Sequence, residues 1–174
     1  MKQPMGRRAP LLRTAVRRDA TRIHDLIQVN QQAGHLLPRH LGELIARIDR
    51  FVVAVDGRGS IVACAELAPL SRSLAEIRSL VVSEKRRGQG LGRRVVDELR
   101  VRAKAAGYDD LCVFAHQPAY FAHMGFSIVP HTWLPEKISA DCGSCPLFRR
   151  CEQFAMVTDL DSHGEVQPPA DVHV

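Results

Sequence analysis

The stretch SLVVSEKRRGQGLGRRVVDEL, residues 79–99, decides the fold because it joins a strand pattern to a helix pattern through a glycine-rich turn. Its first residues are mainly apolar, while Leu91, Val95 and Leu99 repeat at the spacing of one helix face. Glycines let the backbone approach a ligand, and the start of a helix presents unpaired N–H groups and the positive end of its dipole. The stretch therefore predicts an anion-binding turn between a strand and a helix.

The turn does not fit the common nucleotide-binding motifs. No Gly-Lys-Ser/Thr follows its glycines, as a Walker loop requires. It also does not open an N-terminal βαβ unit of the dinucleotide-binding type. Its cations and the net charge of +5 suggest nucleic acid, but few aromatic residues alternate with them as stacking platforms. We therefore expect a basic surface that suits anionic small molecules, with no nucleic-acid partner.

The wider pattern predicts a single α/β domain, in which a mixed, mostly antiparallel sheet is flanked by helices. The expected order is β-α-α-β-β-β-α-β-α-β-β over residues 12–160. The segment DLCVFA, residues 110–115, is apolar enough for a central strand buried on both faces. Residues 1–11 are expected to be flexible, and residues 161–174 are expected to form a disordered tail.

Hydropathy and cysteine content indicate the compartment. No apolar run is long enough to span a bilayer, and the basic N-terminus lacks the apolar region of a secretory signal. We therefore expect a cytoplasmic protein with no membrane partner. The five cysteines are then thiols or metal ligands rather than a disulfide framework. Cys64 and Cys112 lie in strand patterns and are expected in the core.

The turn and its surroundings resemble the GNAT superfamily of acetyl-CoA-dependent N-acetyltransferases. The family's loop pattern, Arg/Gln-x-x-Gly-x-Gly/Ala, is matched by Arg87, Gly90 and Gly92, and YFAHMGF follows at residues 120–126. The resemblance implies that backbone N–H groups of the loop hold the pyrophosphate of CoA, and that the strand before it pairs with the pantetheine arm. The implied CoA-binding residues are Leu80, Val81, Val82, Arg87, Gly88, Gln89, Gly90, Leu91, Gly92 and Phe121.

Phe121 marks a departure from the family pattern. Many GNAT enzymes carry a Phe-Tyr pair whose tyrosine protonates the leaving thiolate, whereas this chain has Tyr120 followed by Phe121. We therefore expect no tyrosine acid, and a CoA thiolate that leaves unaided or through water. Phe121 would line the CoA channel.

Glu76 interrupts an apolar strand pattern in AEIRSL, residues 75–80. Burying a carboxylate there is costly unless it faces either a salt-bridge partner or a water-filled site. In a water-filled site it could accept a proton from the substrate. By resemblance, Glu76 falls on the position of the general-base glutamate of some GNAT enzymes. Arg78 shares a face with Glu76 and is either its ion-pair partner or a fork for a substrate carboxylate.

The segment LPEKISADCGSCPLFRRCE, residues 134–152, is unusual for a minimal acetyltransferase and is predicted as an insertion within residues 130–152. Its spacing C-x2-C-x5-C suits a zinc site, and the alternative is a set of reduced structural thiols in a surface loop. The predicted zinc ligands are Cys142, Cys145 and Cys151, with Asp141, His131 or His123 as the fourth.

Together, AEIRSL, VFAHQPAYFAHMGF and the LPxK–cysteine segment resemble the short, stand-alone N-acetylglutamate synthases of bacterial arginine biosynthesis. The resemblance implies direct acetyl transfer from acetyl-CoA to the α-amine of L-glutamate in a ternary complex, and it allows a homodimer. The two carboxylates of glutamate need two cations, or a cation and backbone donors. Arg78 and Lys137 are the candidates, and His35 and Arg39 are further possible contacts.

Two alternatives to glutamate acetylation stay open. The first is the same chemistry on another amino acid, a polyamine or a protein N-terminus. The second is a CoA-binding module that senses thiols or metal with weak catalysis, suggested by Phe121 and the cysteine segment.

Overall fold

The computed structural model describes residues 9–32 and 38–161. The predictions for residues 1–8, His35 and residues 162–174 therefore lie outside the described residues. The strands are β1 (Leu11–Thr14), β2 (Phe51–Val55), β3 (Ile61–Pro69), β4 (Leu74–Val82), β5 (Asp110–Ala115), β6 (Ser127–Val129) and β7 (Phe154–Asp159). The α-helices are α1 (Ala20–Gln32), α2 (Leu41–Ala46), α3 (Leu91–Ala105), α4 (Pro118–Ala122) and α5 (Pro135–Ala140).

The strands form one sheet in the order β1-β2-β3-β4-β5-β7-β6. Strand β4 pairs with β5 in parallel, whereas β1–β2, β2–β3, β5–β7 and β6–β7 are antiparallel pairs. The chain therefore has the expected mixed, mostly antiparallel α/β fold. Two compact units can be distinguished, and strands β3 and β4 and helix α3 each contribute residues to both.

The first unit comprises Met1–Glu66 and Ser79–Leu99. Its core forms because α1 and α2 place apolar stripes against alternating apolar residues of the strands. The buried members of this core are Ala15, Ile23, Ile27, Leu44, Phe51, Val53, Cys64 and Val81.

The second unit comprises Leu67–Arg78 and Arg100–Val174. Strand β5 is paired on both edges, with Glu76 of β4 opposite Cys112 on one side and Val157 of β7 on the other. The consecutive residues Leu111, Cys112 and Val113 are all buried, so both faces of β5 are covered, which explains why its sequence is apolar nearly throughout. The buried core of the unit consists of Leu74, Cys112, Val129, Leu134, Ala155 and Val157.

One helix was not predicted. The segment expected as a surface loop begins with α5, which has Pro135 in its first turn and Asp141 just after its last residue. Proline suits the first turn because its missing N–H has no helical acceptor there. Helix α5 is important for the site because it carries Lys137. Within the described ranges, no helix is long and apolar enough to cross a membrane.

Candidate active site

The glycine-rich loop lies in the first unit, between β4 and α3. A 3-10 turn, Glu84–Arg86, follows β4, and α3 begins at Leu91. Gly88 and Gly90 have φ angles of 69° and 73°, a region that costs other residues about 1–2 kcal/mol. A Cβ at either glycine would meet no atom within 4 Å. The two glycines are therefore needed for the backbone conformation rather than for space, and the loop leads directly into the N–H groups at the start of α3.

Arg87 anchors this loop through its side chain. Its Nε donates to the carbonyl oxygen of Val82 at 3.2 Å, and its Nη2 donates to Oδ1 of Asn30 at 2.5 Å. Asn30 is buried in α1, where its Nδ2 donates to the carbonyl oxygen of Leu26 at 2.8 Å. The arginine of the motif thus positions the loop. Asn30 was not predicted as a site residue, and the signal that could have identified it is a polar residue at the end of the apolar stripe of α1.

Strand β4 has an unusual backbone conformation at Ser79, just before the segment predicted to pair with the pantetheine arm. Ser79 has a φ of 51°, which costs a non-glycine residue of the order of 1–3 kcal/mol. Of the three residues that follow, Val81 is buried, whereas Leu80 and Val82 are half-buried. The Oγ of Ser79 accepts a hydrogen bond from Nε of Arg39 at 3.2 Å.

Arg39, which was predicted as a possible contact of the acceptor substrate, instead hydrogen-bonds to side chains of the protein itself. Its Nη1 donates to Oε1 of Glu43 at 2.7 Å, and its Nη2 donates to Oε2 of Glu66. Glu66 is completely buried in β3, and its Oε1 has no hydrogen-bond partner in the described part of the chain. Arg39 therefore neutralises a buried carboxylate and contacts the strained Ser79. Glu66 was not predicted, although it interrupts an apolar strand just as Glu76 does.

The predicted base and acceptor-binding residues meet in the second unit in a four-residue network of Glu76, Arg78, Lys137 and Asp141. Arg78 Nε donates to Glu76 Oε2 at 2.6 Å, and Arg78 Nη2 donates to Asp141 Oδ2 at 2.5 Å. Lys137 Nζ lies 2.8 and 2.9 Å from the two oxygens of Glu76 and 2.8 Å from Asp141 Oδ2. Two cations are thus held side by side between two carboxylates.

Burial differs strongly across the network. The side chain of Glu76 is 4% exposed and those of Arg78 and Lys137 are 15% and 14% exposed, whereas Asp141 is 38% exposed. The Lys137 ammonium also lies 5.1 Å from the ring centroid of Phe114, at a distance typical of a cation–π contact. The ion-pair alternative for Arg78 and Glu76 is therefore realised, and Glu76 accepts three charge-assisted hydrogen bonds from the two cations.

The strand cysteines lie in the core, as expected, and are not suited to nucleophilic chemistry. Burial raises the pKa of the Cys64 thiol to about 12. Burial, together with the charge of Glu76, holds the pKa of Cys112 well above its usual value. Both thiols are therefore protonated at neutral pH, and a thiol is a much weaker nucleophile than a thiolate.

The predicted zinc site is not assembled. Cys142 begins the 3-10 turn Cys142–Ser144, Cys145 directly follows that turn, and Cys151 follows the turn Phe148–Arg150. Among the residues that the structure describes, no group of three His, Cys, Asp or Glu side chains could hold a metal ion. Asp141, a proposed fourth ligand, pairs with Arg78 and Lys137 instead, and none of the three cysteines is in a disulfide.

Phe121 is buried in α4, and its ring packs edge-on against Phe126, with centroids 5.6 Å apart. Tyr120 is 44% exposed. The turn after α4 is closed by Gly125, whose φ of 84° requires glycine. The assignment of Phe121 to the CoA channel stays a prediction.

Comparisons with known proteins agree with the fold. The family model of the acetyltransferase (GNAT) domain matches residues 47–128. An uncharacterized N-acetyltransferase of Chlorobaculum tepidum is 32% identical over 149 residues, covering 86% of this chain and 96% of that protein. An amino-acid acetyltransferase of Mycobacterium tuberculosis is 32% identical over 126 residues, covering 71% of each chain.

A solved structure extends the likeness in fold. The N-acetylglutamate synthase of Neisseria gonorrhoeae, complexed with coenzyme A and N-acetyl-glutamate, superposes with a TM-score of 0.79 at 24% identity. The match covers 92% of this chain but only 36% of the gonococcal chain. At this level of identity the likeness is one of fold.

Proposed function

The chain belongs to the GNAT acetyltransferase family and is an acetyl-CoA-dependent N-acetyltransferase, and we propose that its acceptor is the α-amine of L-glutamate. The product would be N-acetylglutamate, an intermediate of arginine biosynthesis. Support comes from the amino-acid acetyltransferase of Mycobacterium tuberculosis, which is 32% identical to this chain. The gonococcal structure, which has the same fold, contains N-acetyl-glutamate.

The observation that carries the proposal is the pair of cations in the four-residue network. Arg78 and Lys137 both lie within 2.9 Å of a buried glutamate oxygen, which fixes them next to each other. Paired cations suit an acidic acceptor, because charge-assisted hydrogen bonds to a carboxylate are stronger than those between neutral groups. An acceptor with a cationic side chain would find both carboxylates of the network already paired with Arg78 and Lys137.

The proposed reaction is direct transfer. The acceptor ammonium first loses a proton, which Glu76 takes up through a water molecule. The neutral amine attacks the thioester carbonyl carbon while a backbone N–H of β4 polarises the carbonyl oxygen. The C–N bond forms and the C–S bond breaks, and the nitrogen's second proton passes through water to the departing CoA thiolate, which leaves the amide and free CoA. The loop from Arg87 to Gly92 would hold the pyrophosphate of CoA throughout.

An acceptor screen tests the proposal. Release of the CoA thiol is followed with acetyl-CoA and glutamate, aspartate, glutamine or lysine as the acceptor. We expect the largest kcat/KM for glutamate and at least a tenfold loss for glutamine, which lacks the second carboxylate. Turnover of glutamine or lysine as efficient as that of glutamate would overturn the choice of acceptor and leave the family assignment intact.

A matched pair of lysine variants locates the selectivity in the network. Lys137→Met should reduce the preference for glutamate over glutamine by about ten- to a hundredfold, because it removes a buried cation. Lys104→Met is the control, since Lys104 pairs with Asp161 at the surface, where the side chains are 60% and 73% exposed. Equal preferences in the two variants would argue against Lys137 as an acceptor contact.

A further inference from the structure

Asp141 occupies the place on the two cations that a bound carboxylate would take. A single oxygen, Oδ2, accepts hydrogen bonds from Nη2 of Arg78 and from Nζ of Lys137. Glu76 holds the same two side chains from the buried side, through Nε of Arg78 and Nζ of Lys137. Each cation is therefore shared between a buried and a more exposed carboxylate.

The two carboxylates differ in how readily they can be replaced. Glu76 lies in the interior of β4, opposite Cys112, and its side chain is almost completely buried. Asp141 follows the last residue of a six-residue helix, and its side chain is the most exposed of the four. An ion pair that is partly open to water contributes little net stability, since water and other anions compete for it. Asp141 is thus the weakly held partner.

The charges of the network determine what an acidic ligand meets. Two cations and two carboxylates sum to zero, so an incoming carboxylate gains little unless it replaces Asp141 on the cations. We propose that Asp141 is a specificity-determining residue that acts as an internal competitor for the acceptor's carboxylate. It sets the affinity for acidic ligands by the free energy needed to displace it. The identity of the acceptor as glutamate rests on the proposed function, whereas the competition itself does not.

Competition and simple structural support predict opposite results for Asp141→Asn. The variant keeps the size of the side chain and gives the network a net charge of +1. If Asp141 competes, acidic ligands bind about five- to tenfold more tightly, the scale of one displaced, partly exposed charged hydrogen bond. If Asp141 only orients Lys137 and Arg78, its loss leaves them less ordered and acidic ligands bind more weakly.

The probe is glutarate, a five-carbon dicarboxylate without an amine, and glutaramide is its neutral counterpart. Their dissociation constants are measured by calorimetry for the wild type, Asp141→Asn and Glu136→Gln. Glu136 lies on the same helix, outside the network. We expect Asp141→Asn to lower the dissociation constant of glutarate about five- to tenfold and to leave that of glutaramide unchanged. The gain should shrink as salt is added, because charges that are open to water are screened.

The outcomes separate this inference from the proposed function. Unchanged or weaker glutarate binding in Asp141→Asn overturns the competition, and so does an equal gain in Glu136→Gln, which would indicate a general charge effect. Tighter glutarate binding in a protein that does not prefer glutamate over glutamine supports the competition and rejects glutamate as the acceptor. Asp141→Ala serves as a second variant, and competition predicts a gain there too.

Discussion

Replacing Glu76 by Gln tests the network that joins β4 to α5. Glutamine keeps the shape and one acceptor oxygen, but it removes the charge that Arg78 and Lys137 share. Removing one partner of a fully buried ion pair costs about 3–5 kcal/mol. Both cations keep Asp141 and some contact with water, so we expect a loss of about 2–3 kcal/mol in the free energy of unfolding. For a chain of this size that corresponds to a melting temperature lower by about 5–10 °C.

The kinetics of the same variant distinguish two roles of Glu76. If Glu76 accepts the amine proton, kcat falls by about 10²- to 10⁴-fold. If Glu76 only holds the two cations, KM for the acceptor rises and kcat changes little. CoA affinity, measured separately by calorimetry, shows whether the variant still binds the acetyl donor.

Glu136→Gln is the matched control, because Glu136 is an acidic residue of α5 outside the network. Glu136 is half-buried and its substitution breaks no ion pair of the network, so it should change the unfolding free energy by less than about 0.5 kcal/mol. A melting temperature of Glu76→Gln equal to that of the control would refute the ion network. An unchanged kcat would remove Glu76 as the proton acceptor.

Two further predictions concern the loop and the sheet. Gly90→Ala should weaken CoA binding about five- to thirtyfold in calorimetry, because the φ of 73° at this position costs alanine about 1–2 kcal/mol. The control is Gly57→Ala, at a glycine without a positive φ, which should leave the affinity for CoA unchanged. Equal CoA affinities in the two variants would contradict the argument from backbone strain. Burial and the charges of Asp159 and Asp109 raise the pKa of Asp110 above 3.8, so ionisation of Asp110 reduces stability as the pH rises through its folded-state pKa. Asp110→Asn should therefore raise the melting temperature at a pH of about 7 and have little effect at about 3, and a variant that melts lower at neutral pH would contradict this assignment.

The loop was predictable because its determinants are local. Residues 79–99 contain the end of a strand, the turn and a helix without interruption, and the positive φ angles at Gly88 and Gly90 are a property of those residues themselves. The order of the seven strands and of helices α1 to α4 followed from hydrophobic periodicity in the same way. Which residue would anchor the loop was not predictable, since Asn30 is 57 positions from Arg87 along the chain.

The four-residue network was only partly predictable, because two of its members are distant in sequence from the other two. Arg78 and Glu76 are neighbours on one strand face, so their pairing was foreseen as an alternative. Lys137 and Asp141 pair with them across 61 and 63 positions, and their spacing of four residues indicates a shared helix face only where a helix is expected. The cysteine spacing directed the prediction toward a loop and a metal, and Asp141 was considered as a ligand instead of an ion-pair partner.

Glu66 and Glu76 have the same local signature but different surroundings. Each is a single acid in an apolar strand, and each is almost completely buried and paired with an arginine. Replacing such a pair with apolar residues is often neutral or stabilising in other proteins, so stability alone does not explain either glutamate. Arg39, the partner of Glu66, also donates a hydrogen bond to the strained Ser79 and so helps to hold β4. Glu76 instead contacts two cations that also bind the more exposed carboxylate of Asp141. The chemistry of a buried acid therefore depends on its distant partners.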